Sequence, residues 1–522
     1  MGGNALVALD FVVIALYVVL LLTLGFWVSY RGSPGNDLFL AGRDLGWFNI
    51  GLSLFGTNVS PSMMIGACGI AYASGMAAAN LEWLAWIFLA LLAMVFTPYY
   101  LATRISTMPE FVERRFGASC RSFLSWYTLF GTVLMWLGGT LYTGGVLLSQ
   151  IVGWPLWLGL VVLVVIATSF TVAGGLKAVV VTDSFQAILI IAFSTLLTIL
   201  GLQKVGGIEG LIAATPPDYW VLLRPADDTV FPWPAIVLGY PVIGIWFWCT
   251  DQTIVQRVLG ARDIVQGQQG ALFAACLKIF TPLIFFVPGI ICFDLHPGLA
   301  DPDRAYMTLA SDLLPSGLRG ALIAVLCAAL VSTVDSALNS VATVFTLDLY
   351  QNKWHPDATQ EQIVRVGRIS TVAVALLASL WALALSTLGR DLFNLMQALI
   401  SFLAPPLAVV FVVGIIYRKA TSRAAIWTLY IGTAVCLLIG TCQFLSWPSP
   451  HFWPHYLLLS FYIFVSLVAL MVTLSLFNKG AQEPNGLPAL GYVYAKSRPP
   501  RRIWWLWGAI AFAMFVLYFV FN

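Results

Sequence analysis

One carboxylate interrupts an otherwise uncharged apolar run of this chain. Residues 320–347 are long enough to cross a membrane as a helix, and Asp335 is their only charged residue. A carboxylate near the centre of a membrane helix costs about 2.5–3.5 kcal/mol or more. Three polar residues share its helix face, because three or four positions separate neighbours: Ser332, Ser336 and Asn339. This stripe is expected to face protein, water or an ion instead of lipid.

Two interpretations of the stripe remain open from the residues alone. Oxygen ligands that include a carboxylate suit a hard monovalent cation. Alternatively, serine and threonine hydroxyls join membrane helices by packing and hydrogen bonding. The second interpretation does not account for the acid.

The composition of the whole chain is that of a polytopic membrane protein. Of its 522 residues, 60% are hydrophobic and only 9% are charged, which argues against a soluble fold. The eight cysteines form no CxxC pair, so neither a disulfide framework nor a zinc site is indicated. The net charge of +3 is explained by membrane topology and does not indicate nucleic-acid binding.

Hydropathy predicts fourteen membrane spans. They lie at about 5–29, 46–74, 80–102, 122–151, 155–173, 178–203, 233–257, 268–293, 319–349, 367–387, 391–417, 424–443, 455–477 and 503–521. If the N-terminus is outside, 20 of the 26 Lys and Arg residues fall in cytoplasmic loops, including Arg257 at the end of the seventh span, five fall in outer loops and one lies within a span. This bias supports the count and places both termini outside, by the positive-inside rule.

Two of the predicted spans contain helix-breaking residues. The second includes GTNVSPS at 56–62, and the seventh includes GYP at 239–241 and then Gly244. Backbone groups freed by Pro and Gly are tolerated at membrane depth only where they are buried or line a cavity. Interrupted helices in corresponding positions of two halves indicate the binding site of a transporter, and simple proline kinks are the alternative. An interval of five spans would invert the second half relative to the first.

Four polar residues stand almost alone within their spans: Glu82, Asp183, Lys278 and Gln397. Such residues are expected to face the bundle interior. The purely structural alternatives are snorkelling for Glu82 and Lys278, a helix start for Asp183 and a helix–helix hydrogen bond for Gln397. A carboxylate, an ammonium, an amide and the indoles of Trp246 and Trp248 would together suit a polyhydroxy ligand.

Six motifs of the chain are specific: AALVSTVDSALNS (328–340), WFWCTDQTIVQR (246–257), GGLKAVVVTDSFQ (174–186), NLEW (80–83), CLK (276–278) and NLMQ (394–397). Together they resemble the sodium:solute symporter family, and within it the sodium/sugar cotransporter branch. The resemblance covers roughly residues 5–480. The first motif resembles the family's sodium-site helix, and the second resembles the gate motif of the sugar branch.

The resemblance implies an all-α polytopic membrane protein of about fourteen transmembrane helices, with a LeuT-like 5+5 inverted-repeat core and peripheral helices. One transporter domain would then comprise an extra helix (5–29), the two repeats (46–203 and 233–417), peripheral helices (424–477), a cytoplasmic loop (478–502) and a last helix (503–521).

The resemblance also implies roles for individual residues. Sodium would bind to the carbonyls of Gly56, Val59 and Ala329 and the hydroxyls of Ser332 and Thr333. Asp183 and Asp335 would be candidates for a second cation. The solute would contact Asn58, Met63, Glu82, Trp246, Phe247, Lys278 and Gln397. Met63 stands where Gln or His is usual, Phe247 where a gating Tyr is usual, and Gly244 where a bacterial relative has Asn.

The function predicted from these features is sodium-coupled import of a sugar or polyol by alternating access. Its partners would be sodium, the solute and the lipid bilayer of a cell membrane, and a bacterial inner membrane is favoured by short loops without an outer N-glycosylation signal. The alternatives are another solute (an amino acid, a carboxylate or a vitamin) and a solute sensor without transport. An enzyme is not expected, because the four His residues lie in or near loops without a nucleophile or metal motif.

Overall fold

Helices dominate the computed structural model, which describes residues 7–31, 38–386, 392–445, 447–449, 452–477, 493 and 498–521. Within these ranges, pairing between extended segments is limited to two isolated bridges, Leu45–Ala261 and Arg224–Pro232. Ten helices of the described part are long and apolar enough to cross a membrane. The expectation of an all-α polytopic membrane protein is therefore confirmed.

Each of the fourteen predicted spans has a helical counterpart, numbered α1–α14. They are α1 (Ala8–Arg31), α2 (Trp47–Asn58 and Pro61–Ser74), α3 (80–103), α4 (118–152), α5 and α6 (the two parts of Leu156–Lys204), α7 (Ala235–Thr250 and Gln252–Leu259), α8 (Ile264–Leu295), α9 (Leu318–Trp354), α10 (Gln360–Leu385), α11 (Leu392–Ile416), α12 (Ser422–Phe444), α13 (Tyr456–Phe477) and α14 (Arg501–Val520).

The helices α5 and α6 meet at a sharp bend at Gly175, where φ is 56° and ψ is −148°. The next N–H, from Leu176, donates to the carbonyl oxygen of Leu38 at 2.8 Å. A Cβ at position 175 would lie 2.1 Å from that same oxygen. Only glycine fits this bend, because both the positive φ and the close approach exclude a side chain.

The second span is interrupted where the sequence predicts. Its first half ends at Asn58, and Val59 is extended (φ −84°, ψ 97°). The second half begins after Ser60, whose hydroxyl accepts a hydrogen bond from the N–H of Met63 at 3.2 Å. Pro61 occupies the first helical position, where its missing N–H costs nothing.

The seventh span breaks later than predicted. Tyr240–Gly244 is α-helical, and π-helical turns flank it at Ala235–Gly239 and Ile245–Thr250. These wider turns accommodate Pro241 without ending the helix. The chain leaves helical geometry at Asp251 (φ −72°, ψ 129°), whose side chain accepts a hydrogen bond from the N–H of Thr253 at 2.9 Å.

The helices differ strongly in how much protein surrounds them. In the apolar stretch of α9, 94% of the residues are buried by protein, whereas the corresponding shares for α1 and α14 are 22% and 17%. Helix α9 packs against Leu156–Lys204, α1 and both parts of α2. The polar stripe of α9 therefore lies in the centre of the bundle, and α1 and α14 lie at its edge.

Candidate functional site

The interruption of α2 lies directly against α9. A Cβ at Gly56 would lie 3.4 Å from the hydroxyl of Ser332 and 3.3 Å from the carbonyl oxygen of Asp183. The hydroxyl of Thr333 donates to the carbonyl of Ala329 at 3.0 Å and lies 3.5 Å from the carbonyl oxygen of Thr57. All of these groups are buried.

The structure thus brings Gly56, Ala329, Ser332 and Thr333 together, and the extended Val59 lies at the adjoining break. Carbonyl groups at an unwound helix end and nearby hydroxyls form an oxygen-rich environment. This chemistry suits a hard monovalent cation, and unwound helices in transporters bind sodium in this way.

Asp183 of α6 lies at the centre of a fully buried polar cluster. Its carboxylate accepts hydrogen bonds from four hydroxyl groups: Ser332 at 2.5 Å, Ser53 at 2.6 Å, Thr57 at 3.4 Å and Ser336 at 3.4 Å. Helices α2, α6 and α9 contribute these groups. Burial of the charge is tolerated because both oxygens of the carboxylate accept hydrogen bonds.

Arg257 of α7 completes this cluster, although the positive-inside rule assigned it to a cytoplasmic loop. Its guanidinium lies 3.5 Å from the Asp183 carboxylate and is fully buried. It also donates to the hydroxyl of Ser53 at 3.2 Å and to that of Ser336. The assignment was wrong because Asp251 starts a new helix that carries Arg257 into the bundle. The apolar residues of 252–259 share one helix face and Arg257 lies on the other, so the local pattern carried no signal for its burial.

Asp335 lies next to this cluster but takes little part in its hydrogen bonds. Its Oδ1 is 3.4 Å from the Ser336 hydroxyl, and its Oδ2 has no hydrogen-bond partner among the described residues. The side-chain nitrogen of Asn339 and the hydroxyl of Ser340 are likewise without partners in that part of the chain. Buried polar atoms without partners are uncommon and costly.

A second charged cluster lies on the other side of the α2 break. Lys278 of α8 donates to the side-chain oxygen of Asn58 and to the carboxylate of Glu82. Its ammonium also lies 5.3 Å from the ring centroid of Trp248. The lysine side chain is 1% exposed and that of Glu82 is 14% exposed, so the pair is largely removed from water. The convergence of Asn58, Glu82 and Lys278 was not evident from the residues alone.

The segment NLEW is held in place from several directions. The side-chain nitrogen of Asn80 donates to the carbonyls of Ala77 and Leu222, and its oxygen accepts from the Tyr518 hydroxyl at 2.7 Å. The hydroxyl of Tyr240 donates to the carbonyl of Leu81. Helices α7 and α14 therefore fix the backbone that presents Glu82.

Of the other predicted solute residues, Phe247 reaches this cluster through Trp248. The ring centroid of Phe247 is 4.9 Å from that of Trp248 and 5.6 Å from that of Trp136. Trp246 and Phe247 line a cavity between α4, α7 and α11, together with Asp251. Met63 is half-buried, and its N–H bonds to Ser60. Gln397 belongs to α11, but its side chain lies outside the described residues.

The two clusters and the interrupted helix between them define a membrane cotransporter, and comparisons with known proteins agree. A solved Na⁺-coupled sialic acid symporter superposes with a TM-score of 0.80 and 21% identity, over 91% of this chain and 99% of that chain. The fold is therefore that of LeuT-type symporters.

Sequence relatives specify the family. Sodium/glucose cotransporter 4 of Danio rerio is 33% identical over 84% of this chain and 72% of its own length. Sodium/myo-inositol cotransporter 2 of Oryctolagus cuniculus is 34% identical over 83% and 69%. The model of the sodium:solute symporter family matches residues 38–432. The chain belongs to the sodium:solute symporter family; it is an integral membrane protein, and sodium is its coupling ion.

Proposed function

We propose that this protein takes up a sugar or polyol together with sodium by alternating access. The observation that carries the proposal is the position of the α2 break. Gly56 faces Ser332 and Asp183 on one side of it, and Asn58 bonds to Lys278 on the other. One unwound segment thus belongs to both candidate sites, so an ion that orders it also orders the solute site.

In this proposal sodium binds to the carbonyls of Gly56, Val59 and Ala329 and to the hydroxyls of Ser332 and Thr333. The ion would bridge α2 to α9 in the outward-facing state. Its inward movement contributes about 2.3 kcal/mol per charge at 100 mV, in addition to the concentration gradient. Coupling requires only that sodium and solute prefer the same conformational state.

The solute would bind to Asn58, Glu82 and Lys278. Lysine and glutamate offer donors and acceptors to hydroxyl groups, and indole faces stack on sugar rings. Met63, Trp246, Phe247 and Gln397 would complete the solute's surroundings. A sugar or polyol is favoured over an anionic solute because Glu82 would repel an anion, and the glucose and myo-inositol cotransporters named above support this choice.

Asp183 and Asp335 form the proposed site for a second cation or a proton. The guanidinium of Arg257 already provides one positive charge to Asp183, so Asp335 is the carboxylate with spare capacity. We expect Asp335→Asn to change the number of ions moved per solute or the pH dependence of uptake. Flux ratios of sodium and solute in proteoliposomes between about pH 5.5 and 8 measure both; if neither changes, the acid has a structural role.

The proposed organisation is a single transporter domain, with repeats at 46–203 and 233–417 and with both termini outside a bacterial inner membrane. The supporting observation is the bias of Lys and Arg toward one set of loops. The solute would cross unchanged, so the protein would not be an enzyme. A cysteine introduced at a terminus should react with an impermeant maleimide in intact cells; reaction only after lysis would contradict this orientation.

The test of the function is sodium-driven uptake of labelled sugars and polyols into proteoliposomes, with Glu82→Ala as the control variant. We expect uptake of at least one such solute to require an inward sodium gradient and to be lost in Glu82→Ala. Sodium-independent uptake, or competition only by amino acids or carboxylates, would contradict the proposal. A solute sensor would show binding but no counterflow.

A further inference from the structure

Five arginines surround one cavity at the end of the bundle where α3, α8 and α14 approach one another. The cavity is lined by Arg43, Arg104, Arg262, Arg498 and Arg502, together with Asp263. These side chains come from four parts of the chain: the segment before α2, the end of α3, the turn before α8 and the start of α14. Like charges repel, so their convergence indicates an anionic partner.

The first of these arginines is held by three carbonyl groups, yet it has no carboxylate partner among the residues that the structure describes. Arg43 donates to the carbonyls of Leu259 at 3.4 Å, Arg104 at 3.2 Å and Ile105 at 2.9 Å. Burial lowers its pKa, and the charges of Arg104 and Arg114 lower it further against the opposing effect of Glu110. The guanidinium therefore remains in an unfavourable positive potential that a bound anion would relieve.

The backbone at two of these positions is strained. Arg43 and Arg104 both have φ of 52°, a left-handed conformation that residues with a Cβ adopt infrequently. Such conformations persist only where surrounding structure maintains them, and they are concentrated at binding sites. Here they direct two guanidinium groups toward the same cavity.

Among the described residues, only a few carboxylates offset this charge. Arg262 pairs with Asp44 at 2.9 Å, and both side chains are well exposed. Asp263 uses one carboxylate oxygen to accept the N–H of Gln266 at 2.9 Å. In the part of the chain that the structure describes, Arg104, Arg498 and Arg502 form no ion pair. Positive charge is thus in clear excess around the cavity.

Tryptophan side chains beside the cavity indicate that it lies at the level of the membrane surface. Helix α14 begins beside it and carries three exposed indoles in its first turns: Trp504 at 47%, Trp505 at 78% and Trp507 at 37%. Exposed Trp side chains of membrane helices concentrate at the boundary between headgroups and hydrocarbon. The rest of α14 is mostly unburied by protein, so acyl chains have an apolar surface next to the arginines.

We propose that this cavity binds the phosphate headgroup of an anionic phospholipid. Guanidinium groups bind phosphate oxygens in pairs of parallel hydrogen bonds, and basic cavities between membrane helices on the cytoplasmic side recognise anionic lipid headgroups. The acyl chains would lie along α14. This site is separate from both transport clusters and does not depend on which solute is carried.

Native mass spectrometry of the detergent-purified full chain tests this site, with phosphatidylglycerol and phosphatidylcholine as the probes. The wild type should retain phosphatidylglycerol preferentially. Arg498→Gln/Arg502→Gln should bind it roughly 20- to 30-fold more weakly, because two arginines near a headgroup are lost. The matched control is Arg365→Gln/Arg368→Gln on α10, which removes the same charge from exposed positions away from the cavity.

Equal losses in the two double variants would overturn the proposal, since they would indicate general surface charge. Displacement of the lipid by millimolar inorganic phosphate would also overturn it, because the site would then be one for a free anion. Arg498→Lys/Arg502→Lys, which keeps the charge and loses the paired geometry, should bind with intermediate affinity. Equal binding of both lipids to the wild-type protein at low salt would by itself contradict the assignment.

Discussion

The two charged clusters beside the α2 break stabilise a carboxylate inside the bundle in different ways. Each pairs a carboxylate with a cation inside the bundle. Asp183 is fully buried, and one guanidinium and four hydroxyl groups surround it. Glu82 remains 14% exposed, and Lys278 is its ion-pair partner among the described residues.

The difference indicates which cluster has free hydrogen-bonding capacity for a solute. The Asp183 carboxylate has little capacity left, so changes there should first affect stability and ion affinity. The Lys278 ammonium has three donors, of which the described hydrogen bonds use two. One oxygen of Glu82 likewise accepts no hydrogen bond from the described residues, so it can accept one from another donor. The second cluster can therefore accept the hydroxyl groups of a solute without being dismantled.

The largest effect is expected from Asp183→Asn. This change leaves the buried guanidinium of Arg257 without its counter-charge, and breaking a buried ion pair costs about 3–5 kcal/mol. Thermal unfolding in detergent should occur at a clearly lower temperature, and sodium-dependent uptake should be lost.

The double variant Asp183→Asn/Arg257→Gln is the control for stability. It removes both charges, so it should recover much of the lost thermal stability while uptake stays low. Wild-type stability in the single variant would show that the ion pair is not required for the fold.

Lys278→Met should have the next largest effect, and mainly on transport. It leaves Glu82 partly buried and unpaired, so uptake should fall on the order of 100-fold, equivalent to about 2.7 kcal/mol. The stability loss should be smaller than for Asp183→Asn, because Glu82 retains contact with solvent. Initial uptake rates and thermal midpoints of both variants measure this contrast, and equal stability losses would remove the distinction between the clusters.

Ser332→Ala should have the smallest effect of the three. It removes one proposed sodium ligand and a hydrogen bond to a carboxylate, worth about 1.5–3 kcal/mol. The sodium concentration for half-maximal uptake should rise roughly 10- to 100-fold. Ser340→Ala is the matched control, since Ser340 is buried on the same helix and its hydroxyl has no partner in the described part of the chain. An unchanged sodium requirement in Ser332→Ala would reject the sodium assignment.

Much of the fold could be predicted from the sequence because hydropathy is a local property. The fourteen spans correspond to helices, and the break of α2 at GTNVSPS lies where Gly and Pro indicated it. The break of α7 could not be located in this way. Its Pro and Gly residues are accommodated by π-helical turns, and the break lies at Asp251, whose side chain caps the start of the next helix. The order of the repeats and the roles of the site residues remain predictions.

The sequence by itself determined that the chain is a bundle of membrane helices and that a few polar groups must face its interior. Only the tertiary structure decided how these groups pair. Asp183 meets Arg257 from 74 positions away, and Lys278 meets Asn58 from 220 positions away. Nothing in a local pattern specifies such contacts, because they depend on helix packing and on the directions that two interrupted helices impose. Arg257 is the clearest case: its charge assigned it to a loop, and packing places it beside the stripe of Asp335.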